Sequence, residues 1–281
     1  MRSIWSPLVV VVLAAPALAG EAVTAPQPEA PQPQPRPGSL TLPQHTWLLT
    51  LTVEIESSTD RLAKPVAVAP DVAYGATDHL TLSVVHSKFA VTGFRAVTGG
   101  GVCLGEDAAC AHVYNNVGAE ATYALRNGSP AIAAVVGVHA MDLDAGFYDA
   151  KLGARLRYNR GRAALTALPS VLIAMTERTD EMGARRNKDL YYVPLLATYK
   201  VVPALTLGLG SGIKGSLNDL GNTWELPLGV VATYAVNRQI TLGASFVFGK
   251  LIGGADDPPS PAPAATGPDF RGTEVWIAIA P

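Results

Sequence analysis

The chain has 281 residues, of which 48% are apolar and only 16% charged. That balance excludes an intrinsically disordered chain, and a formal net charge of −2 offers no basic surface to a nucleic-acid partner. After the first twenty residues no stretch stays apolar for the roughly 18–20 positions a spanning helix needs, which excludes a helical transporter.

Residues 1–19, MRSIWSPLVVVVLAAPALA, open on Arg2, pass through an apolar core at Leu8–Leu13 and close on the A-x-A site Ala17-Leu18-Ala19. The pattern reads as a secretory signal peptide, with an uncleaved anchor as the alternative. Residues 20–43 contain the run TAPQPEAPQPQPRPG from Thr24, a semi-rigid Pro-rich linker expected in the periplasm. From 44 to 281 the texture is uniform, and a single domain is expected.

That texture is alternation with period two. In 47–56, Trp47, Leu49, Leu51, Val53 and Ile55 oppose Leu48, Thr50, Thr52, Glu54 and Glu56. In 148–158, Tyr148, Ala150, Leu152, Ala154, Leu156 and Tyr158 oppose Asp149, Lys151, Gly153, Arg155 and Arg157. A helix would mix these sets, whereas a strand separates them. Twelve such runs are expected, at about 46–56, 65–74, 79–88, 115–125, 131–140, 147–158, 163–175, 190–201, 204–213, 223–234, 239–249 and 272–280. The segment 89–114 is long enough to hold one more hairpin, which would make fourteen.

The connections alternate between short (GATD, RNGSP, NRGR, VVP, VNR) and mostly longer, such as SSTDRLAK and TERTDEMGARRNKD. A meander with tight turns at one end and loose loops at the other explains that rhythm. One long connection, GGGVCLGEDAACAH, holds Cys103 and Cys110. In an oxidising compartment these are expected to form a disulfide. A metal site is not predicted, because the two thiols with His112 give at most three ligands.

The apolar face carries aromatic residues at both ends: Trp47, Tyr74, Tyr123, Tyr158, Tyr199 and Tyr234 near the short turns, Tyr148, Tyr191 and Trp224 near the long loops. Two membrane–water interfaces select for this arrangement, and the runs fit the ~9–11 residues of a tilted membrane strand. The expected fold is therefore all-β: a closed antiparallel up-and-down transmembrane barrel of about 12 strands, its outer face covered by lipid. A secreted soluble barrel or sandwich with a ligand cavity is the alternative.

The signal peptide, the alternation, the loop rhythm and the aromatic ends together resemble Gram-negative outer-membrane β-barrel proteins of the small porin-like type. The segments TYKVVPALTLGLGSGIKGS and TYAVNRQITLGASFVFGK look like hairpins of the outer-membrane transporter family linked to aromatic-compound degradation. The resemblance implies insertion from the periplasm, with the long loops outside. The chain departs from it by ending on AIAP rather than on an aromatic residue.

On this phase the inward charges are Glu54, Asp71, Glu120, Arg126, Asp149, Lys151, Arg155, Arg157 and Glu225. They would set the selectivity of a narrow conduit for small solutes, or pair across the lumen and plug it. Small inward residues such as Gly208, Gly210 and Gly243 leave room or bend the sheet, and bending is the expectation for 208–212. A hydrolase would need His86 with Ser87, or His139 with Asp142 and Asp144, assembled at a strand–loop junction. No G-x-S-x-G, H-E-x-x-H or phosphate-binding fingerprint occurs, so neither enzymatic activity nor a cofactor is expected.

Overall fold

The computed structural model describes residues 38–58, 62–95, 99–104, 112–179, 183, 186–254 and 271–280. The expected signal peptide, most of the linker and Cys110 lie outside the described residues.

Every long alternating run becomes a strand. In chain order these are β1 (Trp47–Glu56), β2 (Val66–Thr77), β3 (Leu80–Val85), the short β4 (Val102–Leu104), β5 (Val117–Arg126), β6 (Ala131–Asp142), β7 (Phe147–Arg160), β8 (Ala163–Ala167), β9 (Ser170–Ala174), β10 (Leu190–Val202), β11 (Leu205–Ser216), β12 (Glu225–Ala235), β13 (Ile240–Gly253) and β14 (Arg271–Ile279). All pairings are antiparallel, each wall position pairs with the next along the chain once β3 with β4 and β8 with β9 are taken as single positions, and β14 returns to β1 in register from Leu49↔Ile279 to Glu56↔Gly272. The sheet is thus a closed barrel with no free edge.

Twelve wall positions result, because two irregularities share positions rather than add them. β8 and β9 are one strand interrupted at Leu168-Pro169, and both halves pair with β7 and β10. Proline has no N–H to give the ladder, so the run expected at 163–175 splits there. β4 pairs with the Val66–Val68 end of β2, in line with β3, which covers the other end. The extra hairpin considered for 89–114 is therefore not in the wall. After Val85 the chain leaves the wall, enters the lumen, and rejoins at Val102. This inward segment carries a helix, α1 (Lys88–Thr92). Ser87 caps it by accepting from Ala90 N at 3.1 Å, and Gly93 ends it in the left-handed region at φ 76°.

The two faces divide as the alternation predicts. Leu152, Leu209 and Val230 are 53–57% exposed on the outside, whereas Glu54, Asp149 and Glu274 are at most 1% exposed inside. The inner face is not uniformly polar: Val231, Val247 and Trp276 stand on it opposite Gly208, Gly229 and Gly243. Val85, Leu172 and Tyr192 point inward and pack against Val91 and Phe94 of the inward segment. A small apolar core therefore lies inside the barrel, under the segment that seats on it.

An outward leucine in the middle of the band has no partner for a charge. Leu152→Arg is expected to destabilise the barrel by about 2–4 kcal/mol in lipid. Denaturant unfolding in phospholipid vesicles measures this, and an unchanged midpoint would place Leu152 away from the hydrocarbon.

Candidate functional site

The lumen is the candidate site, and the inward segment organises it. Asp71 on β2 accepts from His86 N at 2.6 Å, Ser87 N at 3.0 Å and the Ser87 hydroxyl, and so fixes the point where the chain turns in. Glu54 on β1 accepts from Lys88 N at 2.8 Å and Gly100 N at 2.7 Å, holding both limbs of the segment. Asn116 closes the neck by donating to His86 O at 2.9 Å and accepting from Gly101 N at 3.0 Å.

Glu54 lies in register opposite Glu274 of β14. Like charges directly opposite on one face repel. The inward segment relieves the pair by giving Glu54 two amides and Glu274 the Arg95 guanidinium at 2.9 Å, with Ser245 adding a hydroxyl at 3.2 Å. Arg95 is sandwiched between the Phe89 and Trp276 rings, 3.8 and 3.7 Å from their centroids. Gly243 makes the place for Trp276: a Cβ there would come within 2.0 Å of the indole. Burial holds the Lys88 ammonium below the ordinary lysine range, against the opposing pull of Glu54.

A second cluster lies under α1. Lys151 donates to Glu120 Oε1 at 2.5 Å and to Ala90 O at 2.8 Å, Arg155 approaches Glu120 at 3.5 Å, and His139 lies 3.3 Å from the same carboxylate. Asp149 accepts from Asn187 Nδ2 at 2.8 Å, and Glu225 pairs with Lys214 at 2.8 Å.

Of the inward charges expected from alternation, the structure brings Glu54 and Asp71 together through the segment, and Glu120, Lys151 and Arg155 into the cluster. Asp149 and Glu225 stand apart, each with its own partner. Arg157 is exposed and on the inner register, opposite Ala131. Arg126 departs from the expectation. A bulge between Ala124 and Arg126 sets it opposite Ile132, whose other neighbour is the outward Leu156. Arg126 is therefore exposed at the short-turn rim on the outer register, away from the lumen.

Among the aromatic residues Trp47, Tyr123, Tyr148, Tyr158, Tyr199 and Tyr234 are 40–52% exposed, and Tyr74, Tyr191 and Trp224 are half-buried. Trp47 and Tyr74 stack at 4.5 Å between centroids.

The hydrolase constellations are not assembled. Ser87 bonds Asp71, while His86 bonds Pro70 O and, at 2.8 Å, the Tyr114 hydroxyl. His139 is buried against Glu120, and it is His112 that meets Asp144, at 2.5 Å. No group of three or more metal-ligating side chains occurs among the described residues. Cys103 is buried on β4.

Four contributors were not singled out from sequence. Glu274 was legible, since the phase that turns Val275 and Ile277 outward turns it in. Asn116, Arg95 and Lys88 carry no periodic signal, because their roles depend on a segment that leaves the sheet.

No family model matches the chain, and no curated protein matches it by sequence. Solved structures do match in fold. The NanC porin superposes with a TM-score of 0.55 at 11% identity, covering 83% of this chain and 98% of that one. The KdgM porin gives 0.52 at 9% identity with the same coverage. The chain has the twelve-stranded barrel fold of these outer-membrane porins. The likeness of 198–249 to the transporter family linked to aromatic-compound degradation finds no support in these matches.

Removing the Glu54 carboxylate strands two buried amides, each costing about 1–3 kcal/mol. Glu54→Ala is expected to loosen the inward segment while the barrel stays folded. Limited trypsin digestion read by mass spectrometry should show new cleavage after Arg95. A cleavage pattern identical to that of the parent would contradict the anchoring role.

Proposed function

We propose that this protein is an outer-membrane channel, a narrow porin-like conduit for small solutes, with its long loops outside and its short turns in the periplasm. The observation that carries the reading is the inverted wall: a closed sheet, apolar outward and polar inward, the arrangement that lets a barrel stand in lipid and enclose water. The matched porins supply the fold, and a polar inner face within a closed sheet supports conduction. On this reading no cofactor takes part.

Selectivity is assigned to inward charges that keep access to solvent. Lys151 is committed to Glu120 and α1, and Arg155 is partly so. Arg157 makes no ion pair among the described residues and is the most available of the three. A second reading, a surface barrel with a plugged lumen, is favoured by one specific observation: the inward segment is tied to β1, β2, β7 and β14 by its own hydrogen bonds.

Planar-bilayer recording separates the two. Discrete single-channel steps are expected, and a current no greater than leak rejects the conduit in favour of the plug. In a conducting barrel, Arg155→Ala combined with Arg157→Ala is expected to shift the reversal potential in a salt gradient towards cations, and an unmoved potential removes both residues from selectivity.

A disulfide between Cys103 and Cys110 belongs to the same reading, since the proposed compartment is oxidising. Intact mass under non-reducing conditions should fall two hydrogens short of the dithiol form, and a chain that takes up two equivalents of a thiol alkylator without reduction would refute the pairing.

A further inference from the structure

The outer wall carries a shape that neither closure nor the lumen accounts for. On β5 the outward residues Ala119 and Ala121 stand in register between branched neighbours on both sides: Val84 and Leu82 of β3, Val138 and Val136 of β6. Those four neighbours are 46–55% exposed. The two alanines are therefore the floor of a groove of about 700 Å³, and the stacked rings of Trp47 and Tyr74 also line it.

The same strand leads from the groove to a polar rim. Beyond Ala121 towards the short turn, β5 presents Tyr123 and then Arg126, which the bulge after Ala124 sets on the outer register. Strict alternation would have turned residue 126 into the lumen. Arg126 lies opposite Ile132, the second residue of β6, whereas Ala121 lies opposite Val136, the sixth. The guanidinium thus stands at the level of the short turns and the groove lies deeper in the apolar band. Arg126 is exposed and makes no ion pair among the described residues. The rim around it is polar and aromatic: exposed His79 lies beside the Tyr123 ring, 6.4 Å between centroids, and His45 Nδ1 meets the Tyr74 hydroxyl at 2.9 Å. Tyr and Trp mark the headgroup level of a bilayer, and a guanidinium fork matches a phosphate.

We propose that this face of β3, β5 and β6 is a site for one glycerophospholipid of the periplasmic leaflet, with an acyl chain over Ala119 and Ala121 and the phosphate on the Arg126 guanidinium. A groove one strand wide suits a single chain better than the flat face of a second barrel. The uncommitted guanidinium beside it calls for an anion at the depth where a lipid carries its phosphate. The bulge acquires a purpose on this account, since it is what delivers a cation to the outer rim. The inference holds whether or not the lumen conducts. It rests on the barrel standing in lipid with its short turns in the periplasm.

The test is native mass spectrometry of the full mature chain, released from detergent micelles that contain palmitoyl-oleoyl phosphatidylglycerol. The parent should keep one lipid at collision energies that strip the rest. Arg126→Ala and Ala121→Trp should each lower the lipid-bound fraction at least fivefold. Two controls should leave it within a factor of two: Arg160→Ala, an exposed arginine at the end of β7, and Leu209→Trp, outward on β11. All variants are first checked for folding by the heat-dependent shift in SDS mobility. Should Ala121→Trp fail to fold, Arg126→Ala at the exposed rim decides alone. The matching diacylglycerol, which lacks the phosphate, should not be retained. A parent that keeps no lipid, a folded Arg126→Ala barrel that keeps it as the parent does, or equal retention of the diacylglycerol overturns the site. A dimer that Ala121→Trp disperses also overturns it, by putting a second copy over the groove. A mature chain that stays monomeric in buffer without detergent sinks the membrane reading itself, a result distinct from loss of lipid at Arg126.

Discussion

The constraint on which this structure depends is that every backbone N–H and C=O in the wall must find a partner within the wall. In hydrocarbon no water is available to complete an open edge, so an open sheet would leave a row of unpaired groups. The return of β14 to β1 removes that edge. Closure then forces the side chains into two populations with no third choice, outward or inward. Period two in the sequence is the trace of that choice, and so the strands can be read from the residues alone. The short turns and long loops follow too, since a meander that closes must reverse direction at alternate ends.

Closure also explains why a segment can leave the wall without breaking it. β3 stops at Val85 and β4 resumes its line at Val102, so β2 keeps a hydrogen-bonded neighbour along both parts of its length. The excursion then needs partners inside the lumen, and the inner wall offers them as carboxylates. Two buried acids facing each other across β1 and β14 are costly alone, and a polypeptide loop in the lumen with bare amides is costly alone. Together, two amides and a guanidinium satisfy the pair, and the pair holds the loop. The relationship is reciprocal, which accounts for acids on the inner face of a strand that is otherwise threonine and leucine.

What the residues did and did not reveal follows from the same physics. Strand positions, wall phase and most inward charges were legible, because alternation is a property of the chain itself. The inward segment was not. Residues 86–95 have neither period, and their helix is too short to announce itself beyond the Ser87 cap and Gly93. Its anchors Asn116 and Arg95 matter only through distant partners. Arg126 was misplaced because a bulge shifts phase by one residue, and no residue type marks it. The 208–212 glycines were read as one bending stretch. The structure separates them by what a side chain would meet: a kink and the Phe94 ring at Gly212, a neighbouring valine at Gly208, open space at Gly210.

The charge pattern of the lumen changes meaning once the segment is in place. Read from alternation, acids on the first two strands and bases on β7 form opposed walls with a transverse field between them. In the structure Glu54 and Asp71 are spent on backbone amides, Glu274 on Arg95, and Glu120 on Lys151 with Arg155 nearby. Most of the field is therefore consumed locally, in holding one segment against one side of the barrel. Arg157, exposed on the inner register near the β7–β8 turn, forms no ion pair among the described residues. The inner-face acids thus act first as anchors: Glu54 and Asp71 hold the limbs of the segment, and Glu274 holds its Arg95. Left unpartnered, the acids facing each other across β1 and β14 would repel; the segment turns that repulsion into its own attachment.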